Sequence, residues 1–485
     1  MPSAPSSLAS SSSRQSSTRS SPSFILVVVT IMTLLLLLCS TNASRRAVST
    51  TKSSSSKIVN SFVGAFSPPT ATTRRSTSTT RVALPPASSS SSTSSLKASF
   101  FDELSRTFST MTTDGGGGKS QKYYTVGITG ASGLVGTALR DELSSPTTTV
   151  RGKPVRVVAL GRTDGPTTLS TTIGEDLDDD DDDSVETTSF KALWNPNAST
   201  TSEIIDPKLV EKLDAIVHLS GENISTGLSG PLKLLGIRPW TDAKKQEIID
   251  SRVVTTNALA NAIAAASPNK KNQIDFIVSS GIGIYGSDFI EGQNDESTKL
   301  NNPPDETSDT DSATGFLADV SRKWEDATKP ASSAARRVVN LRTAVVMSTK
   351  GGALAKLYPI FFLGGGGIVG NGKQYFPHIS ARDMARATVH VLDTPSLKGP
   401  VNMIAPDNGC TNQEFTTAMG KVLNRPTVLP FPAFAVSLLF GEMGEEVLLG
   451  GTRATPQKLL KSGFQFLHPT IEDTVRSAII EEKNI

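Results

Sequence analysis

A doubly wound parallel α/β sheet with a smaller C-terminal α+β lobe is the fold this sequence predicts, on three observations. From Tyr123 onward, short β-branched runs alternate with helix-like patterns. The runs are apolar throughout, as strands buried on both faces are, and such strands need helices on both sides of a parallel sheet. Residues 409–485 then change character, with proline-punctuated apolar segments replacing the alternation. Right-handed crossovers make the sheet doubly wound.

Taken in order, "YTVGIT" at 124–129 is the first strand, and a Gly-rich turn leads from it into the amphipathic "GLVGTALRDEL". "VRVVALG" at 155–161 is the second strand. An acidic insertion at 164–186 follows, and its run "GEDLDDDDDDSVE" lacks the interleaved Gly and terminal Glu of a calcium loop. It reads as a solvated surface segment. "DAIVHLSG" (214–221), a helix over 251–266, "QIDFIVSSG" (273–281) and "RVVNLRTAVVM" (337–347) complete a domain over 122–408. In the lobe at 409–485, Thr411 and Glu414 have capping-box spacing, and "RPTVLPFP" forces an extended stretch. "AFAVSLLFG" is too short to cross a membrane and reads as a packed helix; Gly463 suits a left-handed helix cap.

The N-terminal region is of another kind. Residues 1–101 carry ten Lys or Arg and no acid, which leaves 38 basic against 46 acidic residues, a formal −8, for 102–485. That balance offers no electrostatic footprint for nucleic acid or an anionic membrane. "FILVVVTIMTLLLLL" at 24–38 follows Arg14 and Arg19 and precedes a small Ala43, as in a secretory signal peptide. The Ser-, Thr- and Arg-rich stretch to Lys97 then reads as transit-peptide-like. Together they resemble the two-part addresses of complex plastids, so residues 1–98 are expected to be a disordered presequence and the mature protein to lie in the chloroplast without a membrane span. His218, His378, His390 and His468 are scattered and only Cys39 and Cys410 occur, so the spacing predicts no metal site.

Gly130, Gly133 and Gly136 form G-x-x-G-x-x-G after a strand and at the mouth of a helix. Such glycines allow a tight turn, close approach of backbone to a pyrophosphate, and helix-on-strand packing, with main-chain amides facing the phosphates. The pattern makes the domain Rossmann-type, and the cofactor-binding residues predicted here are Gly130, Ser132, Gly133, Leu134, Val135 and Gly136. At the end of the second strand, "ALGRT" presents Arg162 where an NAD site usually has an acid. Arginine is a bidentate partner for a 2′-phosphate, so NADP(H) is preferred, with NAD(H) left open.

"TGASGLVG" at 129–136 resembles the signature of extended and atypical short-chain dehydrogenases/reductases. With "DAIVHLSGENIS", "RPWTDAKKQEIIDSRVVTTNAL", "GGALAKLYPIFFLGGGG", "GPVNMIAP" and "TPQKLLKSGFQF", about residues 124–478 resemble the NAD(P)-binding epimerase family proteins, which have their own C-terminal domain. The resemblance implies that Leu219, Ser220 and Gly221 also line the cofactor, and that substrate lies between the sheet's carboxyl edge and the lobe. Asn195 stands where the family often has Asp. The implied activity is that of an oxidoreductase or epimerase-like enzyme on a small carbonyl or sugar-like compound. Plastid relatives with labels connected to cell division imply an alternative, a catalytically inactive cofactor-binding regulator.

Reductases of this superfamily use a Tyr and a Lys four residues later, on one helix face, to move the proton. Four residues after Tyr123, Tyr124, Tyr285, Tyr358 and Tyr375 come Gly127, Ile128, Phe289, Phe362 and Ile379, and none is Lys. The expected helix, "TGFLADVSRKWEDA", has Phe316-Leu317 and Val320-Ser321 at those places. Ser280 and Tyr285 in "VSSGIGIYGSD" remain as catalytic candidates, with Arg342 or Lys373 as cations that could approach the phenol; Glu222 is a loop carboxylate able to act as a base. "GIVGNGKQ" at 367–374 imitates a phosphate loop but has Gln374 where a hydroxyl should hold Mg²⁺. The Gly-rich stretch 351–375 is instead expected to be a hinged flap over the crevice, ending towards His378 and Asp383.

Overall fold

Tyr124–Thr129 (β1) is buried along its whole length, as an uninterrupted apolar strand must be when both faces are covered. The computed structural model describes residues 122–163, 189–224, 240–265, 273–287, 303–407 and 409–483. The expected presequence and acidic insertion lie outside the described residues. After β1 come α1 (Leu134–Leu143), β2 (Thr149–Val150), β3 (Lys153–Arg162), β4 (Ser189–Trp194), α2 (Thr201–Ile204), α3 (Pro207–Lys212) and β5 (Ala215–His218). They are followed by α4 (Asp242–Ala264), β6 (Asp275–Gly281), α5 (Phe316–Asp326), β7 (Arg337–Thr343), β8 (Val345–Met347) and α6 (Gly352–Phe362). The chain ends through β9 (His378–Ser380), α7 (Ala381–Asp393), β10 (Gly399–Met403), α8 (Asn412–Leu423), α9 (Ala433–Gly444), α10 (Gln457–Lys461) and α11 (Ile471–Ile479).

Seven parallel strands are ordered β4-β3-β1-β5-β6-β7-β10, and β2 pairs antiparallel with β3. From β1 the chain builds outward through β3 to β4, then returns to the other side of β1 as β5. Direction reverses there, which opens a crevice outside the carboxyl ends of β1 and β5. Leu139 and Leu143 of α1 and Met384, Val391 and Leu392 of α7 bury one sheet face. Leu259 and Ile263 of α4 and Trp324 of α5 bury the other. The doubly wound Rossmann-type fold is therefore present.

Two elements differ from the expectation in extent. Helix α4 begins at Asp242, nine residues before 251, because Thr241 caps it by accepting from the Lys244 amide and Asp242 places a negative charge in the first turn. The run 337–347 divides at Ala344: β7 stays in the main sheet, whereas β8 leaves it and pairs with β9 in a separate two-stranded ribbon.

At the amino edge of the sheet, fully buried Asp275 accepts from Arg151 (2.5 Å), Arg336 (2.6 Å), Arg337 (3.0 Å) and the Tyr124 hydroxyl (3.1 Å). Burial would raise its pKa, but the hydrogen bond from Arg336 and the charge of Arg337 outweigh that and hold it below the usual value.

In the lobe, the Thr411–Glu414 capping box is formed, and Gly463 follows α10 with φ 84°. Its core joins Met347, Leu354 and Phe361 to Phe415, Met419, Val475 and Ile479. Among the described residues no helix is long and apolar enough to cross a membrane.

Candidate functional site

The turn between β1 and α1 requires its glycines individually. Gly130 has φ 66°, and a Cβ there would lie 2.9 Å from the Leu219 carbonyl carbon. Gly133 caps α1 with extended backbone, and its amide donates to the Gly130 carbonyl at 2.9 Å. A Cβ on Gly136 would lie 2.2 Å from that same carbonyl oxygen. Loop and helix therefore touch through bare backbone. The amides of Leu134, Val135 and Gly136, in the first turn, have no acceptor within the helix. Ser132 and Gly133 are exposed beside them.

The end of β5 forms the adjoining wall. The Leu219 amide donates to the Thr129 carbonyl at 3.3 Å and to Thr129 Oγ1 at 3.2 Å, fixing the exit of β5 to that of β1. Behind them His218 is wholly buried, with Nδ1 2.7 Å from Thr129 Oγ1 and Nε2 3.3 Å from Thr255 Oγ1 of α4. Burial drives its pKa down to about 3, so the imidazole is neutral. Ser220 is buried and Gly221 exposed. At the end of β3, Arg162 is exposed, and its side chain has no hydrogen bond or ion pair among the described residues. Asn195, one residue beyond β4, accepts from the Asn197 amide at 3.0 Å.

Glu222 is held from three directions. Its amide donates to Ser251 Oγ at 3.0 Å, its carbonyl accepts from Arg252 at 2.9 Å, and its carboxylate accepts from Lys244 Nζ at 3.1 Å. Lys244 is only 3% exposed and also donates to Glu247. Burial pushes the Arg252 guanidinium down to about 10, against the pull of the Glu222 charge.

The chain is 36% identical over 352 residues to the epimerase family protein Mb2239 of Mycobacterium bovis, an overlap of 72% of this chain and 96% of the relative. The chain belongs to the epimerase family proteins. Within that family it is also 29% identical over 359 residues to the Arabidopsis thaliana "Epimerase family protein SDR39U1 homolog, chloroplastic", covering 74% of this chain and 88% of that one. Among solved structures, the human epimerase family protein SDR39U1 (isoform 2) with NADPH superposes with a TM-score of 0.54 at 27% identity, covering 73% of this chain and 98% of that chain. Residues 431–478, inside the lobe, match a domain of unknown function, DUF1731.

In this epimerase family chain, Ser280 and Tyr285 are joined through two other side chains. Ser280 Oγ donates to Glu325 at 3.0 Å, Arg342 makes a two-pronged contact with the same carboxylate at 2.8 and 2.9 Å, and Arg342 Nη1 donates to the Tyr285 hydroxyl at 2.8 Å. That hydroxyl lies 2.8 Å from Asn402 Oδ1 and 2.9 Å from the Asp305 carbonyl, either of which can accept its single proton. Burial raises the phenol's pKa despite Arg342. Of the two cations expected near it, Arg342 makes this contact.

Helix α5 presents Leu317 and Ser321 to the same strand end. A Cβ on Gly283 would meet Leu317 Cβ at 3.1 Å, and one on Gly281 would meet Ser321 Oγ at 3.0 Å. The Gly-rich stretch after Gly351, expected to be a hinged flap, packs between α1 and the lobe in this structure. It starts as α6, where a Cβ on Gly352 would lie 3.5 Å from Leu134 Cδ2 at the head of α1, and continues hydrogen-bonded to the lobe through Gly366, Ile368 and Gly370. A Cβ on Gly367 would fall 1.8 Å from the Leu429 carbonyl oxygen, so close packing accounts for that glycine.

His218, Lys244, Arg252 and Glu325 were not foreseen. One signal was available for α4: Lys244, Ser251 and Arg252 lie at i, i+7 and i+8, a single helix face.

Proposed function

We propose that this family member binds NADP(H) and acts as an oxidoreductase or epimerase-like enzyme on a small carbonyl or sugar-like substrate. One observation carries the reading: the Gly130–Gly136 contact, too close for any side chain, seats the loop directly on the first turn of α1, whose Leu134, Val135 and Gly136 amides have no acceptor within the helix. The donors fit a diphosphate, and in this proposal Gly130, Ser132, Gly133, Leu134, Val135 and Gly136 hold it, with Leu219, Ser220 and Gly221 along the adjoining wall. Arg162, exposed at the end of β3, takes the 2′-phosphate, in keeping with the NADPH of the human relative's structure. A bound nicotinamide supplies a hydride donor or acceptor. Glu222, half-exposed and fixed by Lys244, accepts a hydrogen bond from a substrate hydroxyl.

Thermal melts test the cofactor assignment. A ligand at a hundredfold excess over its Kd stabilises by about 2.7 kcal/mol. NADPH should raise the melting temperature more than NADH, and Arg162→Ala should abolish the difference. Equal shifts in the unaltered protein would overturn the role of Arg162.

A second reading is favoured by Leu317 and Ser321, which face the strand end where the superfamily's Tyr and Lys would stand. With no such pair, the chain is a cofactor-bound regulator. Tight NADPH binding without hydride exchange across a panel of carbonyl compounds would select it; turnover would reject it. We place either activity in the plastid, supported by the acid-free N-terminal region and the chloroplastic name of the Arabidopsis relative. Residues 1–98 fused to a fluorescent protein should direct it to plastids, and fluorescence confined to the cytosol would refute this.

A further inference from the structure

Where the sheet meets the lobe, three potential metal ligands converge from two chain segments. His378 opens β9, while Asp407 and Cys410 lie between β10 and α8. One donor atom from each, an imidazole nitrogen, a carboxylate oxygen and the thiol sulfur, lie within 4.8 Å of one another. His378 is 1% exposed and Cys410 is 4% exposed, so this is an internal cluster.

His378 Nε2 is 2.6 Å from Asp407 Oδ2, whereas its buried Nδ1 has no hydrogen-bond partner among the described residues. The nitrogen that faces the carboxylate is therefore Nε2, and an ion held by both groups would take the place of the hydrogen bond between them. The backbone around the cluster is already fixed. The Phe376 amide donates to the Cys410 carbonyl at 2.7 Å, and the Ala405 amide donates to the His378 carbonyl at 2.8 Å. Two hydrogen bonds thus bracket the three side chains, and metal binding needs little main-chain ordering.

We propose that His378, Asp407 and Cys410 bind one divalent transition-metal ion of the zinc class, with water as the fourth ligand. Nitrogen, oxygen and thiolate donors suit zinc; calcium and magnesium take oxygen. Ligand atoms around tetrahedral zinc are about 3.5 Å apart, so the widest separation in the set has to close by roughly 1 Å while the 2.6 Å His378–Asp407 pair opens to admit the ion. On binding, the Cys410 S–H bond breaks, the proton leaves to solvent and the sulfur lone pair forms the bond to the metal, with no redox change. The ion would tie β9 to the start of the lobe.

Cobalt(II) makes the test visible, since a thiolate on cobalt adds a near-ultraviolet charge-transfer band. The full chain, freed of metal by a chelator, is titrated with cobalt and then with zinc. The expected result is one equivalent of cobalt with the thiolate band, displaced by one equivalent of zinc. Cys410→Ser should lose the band, and Asp407→Asn should weaken zinc binding by at least about tenfold, both retaining the unaltered protein's far-ultraviolet spectrum. Absence of a band in the unaltered chain at several-fold excess of cobalt would overturn the proposal without recourse to any variant. A band that persists in Cys410→Ser would overturn it equally, by placing the metal on another thiol.

Discussion

Gly136 cannot acquire a side chain without moving a helix. Its Cβ would lie 2.2 Å from the Gly130 carbonyl oxygen, and the obstacle is backbone, which cannot rotate aside. Gly136→Ala should therefore cost about 1–3 kcal/mol, as overpacking does, and abolish the NADPH-induced rise in melting temperature. An unchanged rise would show that the glycine turn is not where the diphosphate lies. Tyr285 should behave in the opposite way. Removing its hydroxyl leaves Arg342 Nη1 without an acceptor at 2.8 Å, so Tyr285→Phe should lose about 1–3 kcal/mol in denaturant melts while NADPH binding persists. The glycines were legible in sequence because a backbone requirement maps directly onto residue type. The Ser280–Glu325–Arg342–Tyr285 chain was not, since its contacts join residues 45 and 57 positions apart.

Among the elements, β5 brings a titratable group into the scaffold of the crevice. Its last residue, His218, is buried and neutral, with a pKa near 3 set by desolvation. In the unfolded chain that imidazole titrates near 6.5. The folded state therefore binds fewer protons between these values, and the stability conferred by neutral His218 is complete above about pH 6.5 and declines as the pH falls towards 3. The loss should reach about 3 kcal/mol between pH 7 and pH 4. His218→Gln should reduce this acid sensitivity in urea melts at the two pH values; the same dependence in both proteins would refute it. Central strands could be read directly because they are continuously apolar, but β4 and β10 were not identified as strands. In β4, residues 191–194 alternate between exposed and buried, as an edge strand does, and β10 begins Gly-Pro, which argues against a strand from sequence alone. The split between β7 and β8 was also hidden, since one apolar run serves two sheets.

Across the whole molecule, the sheet is secured at one edge and left open at the other. Asp275 binds three arginines and a tyrosine at the amino edge, whereas the carboxyl edge carries the glycine turn. Asp275→Ala would leave Arg337 buried without its counter-charge and should cost about 3–5 kcal/mol. The preference for NADPH over NADH in the surviving folded protein should be unaltered, because the two features lie at opposite ends of β1. A lost preference would mean that the edges are coupled. The lobe bears on this integrity as well. Its helices begin after residue 408, but its core includes Met347, Leu354 and Phe361, which the chain supplies earlier while it is outside the main sheet. Neither part is a detachable cassette: a polypeptide stopped at 408 would bare those three side chains to water, and should be prone to aggregate where the full chain is not.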